Sequence, residues 1–184
     1  MRGKRLFIGV LLPDYLKTSL ESLQEKRRKG FHWVHPSRFH LTLRFIGDVP
    51  GQLQEGIEEA LDGVKVEPFY LPVEGVGCFP LAQRAHAVWV GLGNGHPCLF
   101  QLKKQIEDRL FALGLEPEKR IYRPHITLAR VNHAAPETVR QFLKENRDFA
   151  APPFRVETFH LFHSQVLPEI GRVHEIEGTW TLET

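Results

Sequence analysis

Two short stretches of the chain carry the same pattern. FHLTLRF at 39–45 and PHITLAR at 124–130 each hold a histidine, then a threonine two residues later, then a leucine. The histidines are His40 and His125, 85 positions apart. Both stretches read as apolar strands. Side chains alternate between the faces of a strand, so His40, Thr42 and Arg44 are expected on one face and Leu41, Leu43 and Phe45 on the other. His125 and Thr127 likewise share a face, with Ile126 and Leu128 opposite. Two imidazoles and two hydroxyls on facing walls of a cleft fit a transition metal poorly. Such a site needs further ligands, often carboxylate or thiolate, and neither motif has Asp, Glu or Cys beside its histidine. They fit in-line displacement at phosphorus better. One imidazole takes a proton from the incoming water and the other gives one to the leaving alkoxide, both titrating near neutral pH. The threonine hydroxyls can donate to the phosphate oxygens that gather charge. A lone histidine in a strand is more often structural; two at one offset, in matching places of a repeat, point to function.

The elements that must position these residues read as two similar halves. The first opens on RLFIGVLL at 5–12, an apolar run ended by Pro13. A helix follows, with Leu16, Leu20 and Leu23 on one face and Asp14 as its N-cap. After the His40 strand, Leu53, Ile57, Ala60 and Leu61 mark a second helix with Gly63 as its stop. The half closes on VKVEPFYLPV at 64–73, where prolines predict an edge strand. The second half opens on AHAVWVGLG at 85–93, followed by the stripe Leu99, Leu102, Ile106, Leu110 and Leu113. After the His125 strand come a helix over 136–146, a strand FRVETFHLFH at 154–163 and a final hairpin in RVHEIEGTWTL. The reading is an α+β protein made by internal duplication. Two antiparallel sheets face a central cleft, helices lie outside, and residues 1–184 form a single domain of two pseudo-symmetric lobes. GVGCFPLAQRA at 75–85 is the expected linker.

The totals limit the function classes. With 184 residues, 42% hydrophobic and 25% charged, the chain can bury a core as one compact domain. A net charge of +2 permits a phosphate-bearing ligand but lacks the basic bias of a non-specific nucleic-acid binder. The basic run EKRRKG at 25–30 reads as a solvated helix end with Gly30 as its cap. Two cysteines, Cys78 and Cys98, form no framework, which fits a reducing cytoplasm. The apolar N-terminal run is short and lacks a cleavage site, so it reads as a buried first strand, and no segment is long enough for a membrane span. GLGNGHP at 91–97 lacks the ending of a phosphate loop and reads as a strand-to-helix turn, so no nucleotide cofactor is expected. His160 and His163 fall on opposite faces of a strand and read as structural or surface residues. Trp33, Trp89 and Trp180 read as core or cleft walls.

The paired motifs, with RLFIGVLLP, HLTLRFIGDV, GCFP, VWVGL and YRPHITLAR around them, resemble the two-histidine (2H) phosphoesterase superfamily. Within it they resemble the branch named for 2′-5′ RNA ligase or RNA 2′,3′-cyclic phosphodiesterase. The resemblance covers nearly the whole chain. It implies a bilobal fold and metal-independent opening of a 2′,3′-cyclic phosphate on an RNA end, leaving a 2′-phosphomonoester. It assigns His40 as proton donor, His125 as base, and Thr42 and Thr127 as phosphate holders. It adds Arg130 as a phosphate or nucleotide contact, although simple alternation turns Arg130 away from His125. The partner implied is RNA with a cyclic phosphate end, met by a monomer, with 2′-5′ ligation as the reverse reaction. Small cyclic nucleotides, ADP-ribose cyclic phosphate and a non-catalytic RNA- or nucleotide-binding role are the alternatives. One departure is His174, near where the family often has a tyrosine, so the resemblance assigns no substrate contact there.

Overall fold

A computed structural model describes residues 3–183. The first half runs β1 (Lys4–Leu11), α1 (Asp14–Glu21), β2 (Phe31–Trp33), β3 (His40–Val49), α2 (Gly51–Leu61) and β4 (Phe69–Glu74). The second runs β5 (Val76–Phe79), β6 (Ala87–Gly91), α3 (Pro97–Ala112), β7 (His125–Val131), α4 (Pro136–Glu145) and β8 (Ala150–Val156). The hairpin β9 (Thr158–Leu167) and β10 (Gly171–Thr181) completes the chain. The expected α+β architecture with antiparallel sheets is what the chain adopts. No helix among the described residues is long and apolar enough to cross a membrane.

The main sheet has the order β10-β9-β1-β3-β7-β6-β5, with β2 also paired to β7. Its two wings meet at one residue pair, Leu41 of β3 opposite Ile126 of β7. The helical stripes bury as their spacing requires. Leu16 and Leu20 of α1, Ile57 and Leu61 of α2, Leu99, Leu102, Ile106 and Leu110 of α3, and Val139 and Phe142 of α4 join one continuous core with the strands. At about 1.5–3 kcal/mol for each buried large apolar side chain, this core is the main force holding the wings at a fixed angle.

Four local readings change. The stretch 154–163 is two strands, not one: β8 pairs with β4 in a separate two-stranded sheet, while β9 pairs with β1. The chain changes sheets at Glu157, which a continuous run of apolar residues conceals. The expected linker at 75–85 contains β5, the edge of the second wing. The basic run at 25–30 lies past the end of α1 rather than on it. There Arg28 is largely covered, bonded to Glu25 at 2.6 Å and Glu145 at 2.5 Å, with its guanidinium 5.5 Å from the Phe142 ring centroid. Gly30 takes φ 79°, and a Cβ there would run into Ala134.

The fourth change matters most. Opposite β1, Ile8 faces Arg44 but Gly9 faces Thr42, so Leu43 is an extra residue in β3. Opposite β6, Val88 faces Ala129 but Trp89 faces Thr127, so Leu128 is an extra residue in β7. A β-bulge of this kind reverses the alternation beyond it. Past Leu43 the faces exchange: Arg44 joins Ile8 on the helix side, and Phe45 joins Phe7 on the side of His40. Past Leu128 the same exchange brings Arg130 onto the side of His125.

Candidate active site

The site grows from the Leu41–Ile126 pair. Both side chains point into the core and are fully buried. Extended one residue either way, the antiparallel register sets His40 across from Thr127 and Thr42 across from His125. The four residues singled out by their spacing therefore surround one point on the open face of the sheet.

Each histidine is held the same way. His40 Nδ1 lies 2.7 Å from the Arg38 carbonyl, and His125 Nδ1 lies 2.7 Å from the Arg123 carbonyl. A carbonyl can only accept, so each ring carries a proton on Nδ1, and Nε2 is the nitrogen left able to accept or give one. The rings are braced by aromatic neighbours. Phe7 lies 4.9 Å from His40, Phe79 lies edge-on 4.8 Å from His125, and Trp89 lies 6.0 Å from His125. Gly9 keeps the floor clear: a Cβ there would stand 2.7 Å from the Leu41 carbonyl oxygen and 3.5 Å from the Phe162 ring.

Burial pushes the His40 imidazole below its ordinary range. The bond to the Arg38 carbonyl opposes this, while the nearby His125 and Arg38 charges add to it. Burial lowers His125 too, opposed by the Arg123 carbonyl and reinforced by Arg130. The influence of Arg130 on His125 agrees with the bulge, which brings it to that face. Arg28, Arg44, Arg140, Arg147 and Arg155 are paired with carboxylates. Arg38, Arg130 and Arg172 near the cleft have no such partner among the described residues, as is also true of Arg5, Arg27, Arg84, Arg109, Arg120 and Arg123, and burial, then the Arg172 charge, lowers the Arg38 pKa. Unpaired cations beside the two imidazoles suit this face to an anion.

The chain belongs to the LigT like phosphoesterase family. The family model matches residues 10–89 and 94–169. Over 144 residues the chain is 35% identical to the RNA 2′,3′-cyclic phosphodiesterase of Aeropyrum pernix, covering 77% of this chain and 81% of that one. It is 26% identical over 179 residues to the protein of the same name from Methanocaldococcus jannaschii, covering 96% and 99%. The crystal structure of E. coli LigT in apo form superposes over the whole of both chains with a TM-score of 0.78 at 22% identity.

In this LigT-like phosphoesterase Arg44 does not face the cleft, contrary to simple alternation. It lies 3.5 Å from Glu107 and 3.7 Å from Glu118 and donates to the Glu116 carbonyl. Lys103 joins the same two carboxylates, and Tyr122 donates to the Thr42 carbonyl at 3.0 Å. This polar cluster braces the back of the His40 strand. His160, on the cleft side of β9, has both ring nitrogens taken by threonine hydroxyls, Thr179 at 2.9 Å and Thr158 at 3.2 Å, which is the structural role expected. Trp89 is a cleft wall, while Trp180 stacks on Phe159.

Sequence reasoning missed His174. Its ring stands edge-on to His40 at 5.2 Å and 4.9 Å from Phe7. Burial, then the charges of His40, Arg38 and Arg172, lower its pKa to about 4, so it stays neutral beside His40. The departure from a family tyrosine was the available signal. A grouping of possible metal ligands, His163, Glu175 and Glu177, lies on the opposite face of β9 from the cleft, where Lys4 and Gln54 already engage Glu177 at 2.5 Å and 3.0 Å. A hollow of about 450 Å³ between α2 and β10 is lined by Glu55, Glu58, Glu59 and Asp62, which repel a phosphate.

Proposed function

We propose that the chain opens 2′,3′-cyclic phosphates at RNA ends, without a metal, to leave a 2′-phosphomonoester. The observation that carries this reading is the matched pinning of His40 and His125 by their Nδ1 atoms on either side of one residue pair. His125 takes a proton from water as the water oxygen bonds to phosphorus. The bond from phosphorus to O3′ breaks, and His40 gives its proton to that oxygen. Thr42 and Thr127 donate to the non-bridging oxygens, and Arg130 offsets the charge they gather. The Arg130 cation also favours neutral His125, the form a base needs. Run backwards, the same steps only reclose the ring; a 5′-hydroxyl of another RNA that took the place of the water would bond to phosphorus as the bond to O3′ breaks and so form a 2′-5′ linkage, and water at high concentration favours hydrolysis. Residues 1–184 act as one unit of two pseudo-symmetric lobes, each supplying one histidine. The shared names of the curated relatives support RNA as the substrate.

The test is incubation with a short RNA ending in a 2′,3′-cyclic phosphate, with and without EDTA, and identification of the product. A 2′-phosphate formed equally in EDTA is expected. His40→Ala and His125→Ala should each lower the rate about 10²- to 10⁴-fold. A 3′-phosphate product, or loss of activity in EDTA, overturns the mechanism. Tight binding without turnover marks a nucleotide-binding module instead.

A further inference from the structure

The unpaired cations near the cleft are divided between the two histidines. Arg130 lies on the side of His125, Arg38 and Arg172 on the side of His40. Arg38 ends the turn that leads into β3, and its carbonyl holds the His40 ring at 2.7 Å. Arg172 arrives from β10. β9 pairs with β1 only over His160–His163, yet it stays paired with β10 farther out, so residues 164–167 and 171–174 form a two-stranded arm. His174, across from Ser164 on this arm, sets its ring edge-on to His40 at 5.2 Å. Arg172, two residues earlier, shares that face and donates to Ser164 Oγ at 2.9 Å. Among the described residues neither Arg38 nor Arg172 meets a carboxylate.

We infer that Arg38 and Arg172 bind the phosphodiester that joins the terminal nucleotide to the rest of the RNA strand. The inference rests on the phosphodiesterase reading and deepens it. Two like charges meet here beside a group that must carry a proton. The Arg172 charge opposes that of Arg38, and the Arg38 charge opposes a protonated His40. An anion lying on the two arginines offsets both costs. The ribose decides which anion this is. Of the two oxygens in the cyclic phosphate, O3′ sits on the carbon next to C4′, which carries the 5′ arm; O2′ is one carbon farther away. His40 serves O3′, so the 5′ arm and its phosphate extend from the His40 side of the cleft, where Arg38 and Arg172 stand. Planar guanidinium forks suit phosphate oxygens. Their hold on the strand also turns O3′ rather than O2′ toward His40, which fits a 2′-phosphate product.

The experiment compares two diadenosine substrates that both end in a 2′,3′-cyclic phosphate. One has a natural phosphodiester between its nucleosides; the other has a methylphosphonate there, similar in shape and uncharged. The readout is the ratio of kcat/KM, charged over neutral, which a general loss of folding does not move. The unaltered chain should prefer the charged substrate about 10- to 150-fold. Arg38→Ala and Arg172→Ala should each lower that ratio about 10-fold, as expected for hydrogen bonds to a charged group in contact with water. Arg130→Ala should slow both substrates and leave the ratio where it was. A ratio near unity in the unaltered chain, or one that either Arg38→Ala or Arg172→Ala leaves unmoved, overturns this inference alone. Turnover of neither substrate by the unaltered chain overturns the hydrolase reading and the inference with it.

Discussion

Replacing Arg44 and Arg130 one at a time by alanine should separate stability from activity. The two residues sit at neighbouring positions after matching motifs, and the bulges send them to opposite faces. Arg44 is 7% exposed and shares Glu107 and Glu118 with Lys103. Its removal leaves two carboxylates with a single cation and the Glu116 carbonyl without its donor. Breaking a buried ion pair from one side costs about 3–5 kcal/mol. Both carboxylates keep partial contact with water, which favours the lower end, about 3 kcal/mol. For a chain of this size that is a fall in Tm of about 6–12 °C. Arg130 is exposed and unpaired, so Arg130→Ala should change stability by less than about 0.5 kcal/mol. It should lower kcat/KM about 10- to 150-fold, the loss of one hydrogen bond to a charged group in the transition state. Thermal melts by circular dichroism and initial rates on cyclic-ended RNA measure both. If Arg44→Ala melts normally but is inactive, or if Arg130→Ala melts early and retains its rate, the assignment of faces is wrong.

Other outcomes follow from the same geometry. The pH profile of kcat/KM should be a bell centred below about pH 6.5, the ordinary imidazole value. His125 must be neutral and His40 protonated, and both are lowered in the free protein, so both limbs move to lower pH. A bell centred above 7 in kcat/KM contradicts this. Folding stability should be fully present above about pH 6.5. Below it, protons bind the unfolded imidazoles first, since His40, His125, His160 and His174 are all lowered when folded. Stability should therefore decline as pH falls toward about 4, the value for His174; melts at constant ionic strength that show no decline refute it. Tyr122→Phe removes the donor to the Thr42 carbonyl and should cost about 1 kcal/mol, read as a lower midpoint in urea. An unchanged midpoint means that bond does not brace the strand.

The helices and the two histidine strands were legible because burial imposes a period, and Leu16, Leu20, Ile57, Leu61, Leu102 and Ile106 keep it faithfully. The convergence of His40 and His125 was legible because one motif occurs twice at matching places. The bulges were not. Leu43 and Leu128 are apolar residues in apolar strands, and nothing in their type marks them as extra. One residue of slip moves every later side chain to the other face, so Arg44 was misplaced and Arg130 left facing away. Arg28 was misread because a run of charges is usually solvated, whereas here two aromatic rings and two carboxylates enclose its side chain. Strand β2 is three residues long, too short to show a period.

The pairing of β4 with β8 has one more consequence. β4 of the first half and β8 of the second have each other as backbone partners. Severed near residue 75, neither fragment could pair the backbone of its own strand of this sheet. Expressed alone, each should be insoluble or unfolded; produced together, the pieces have reason to find each other and rebuild the cleft.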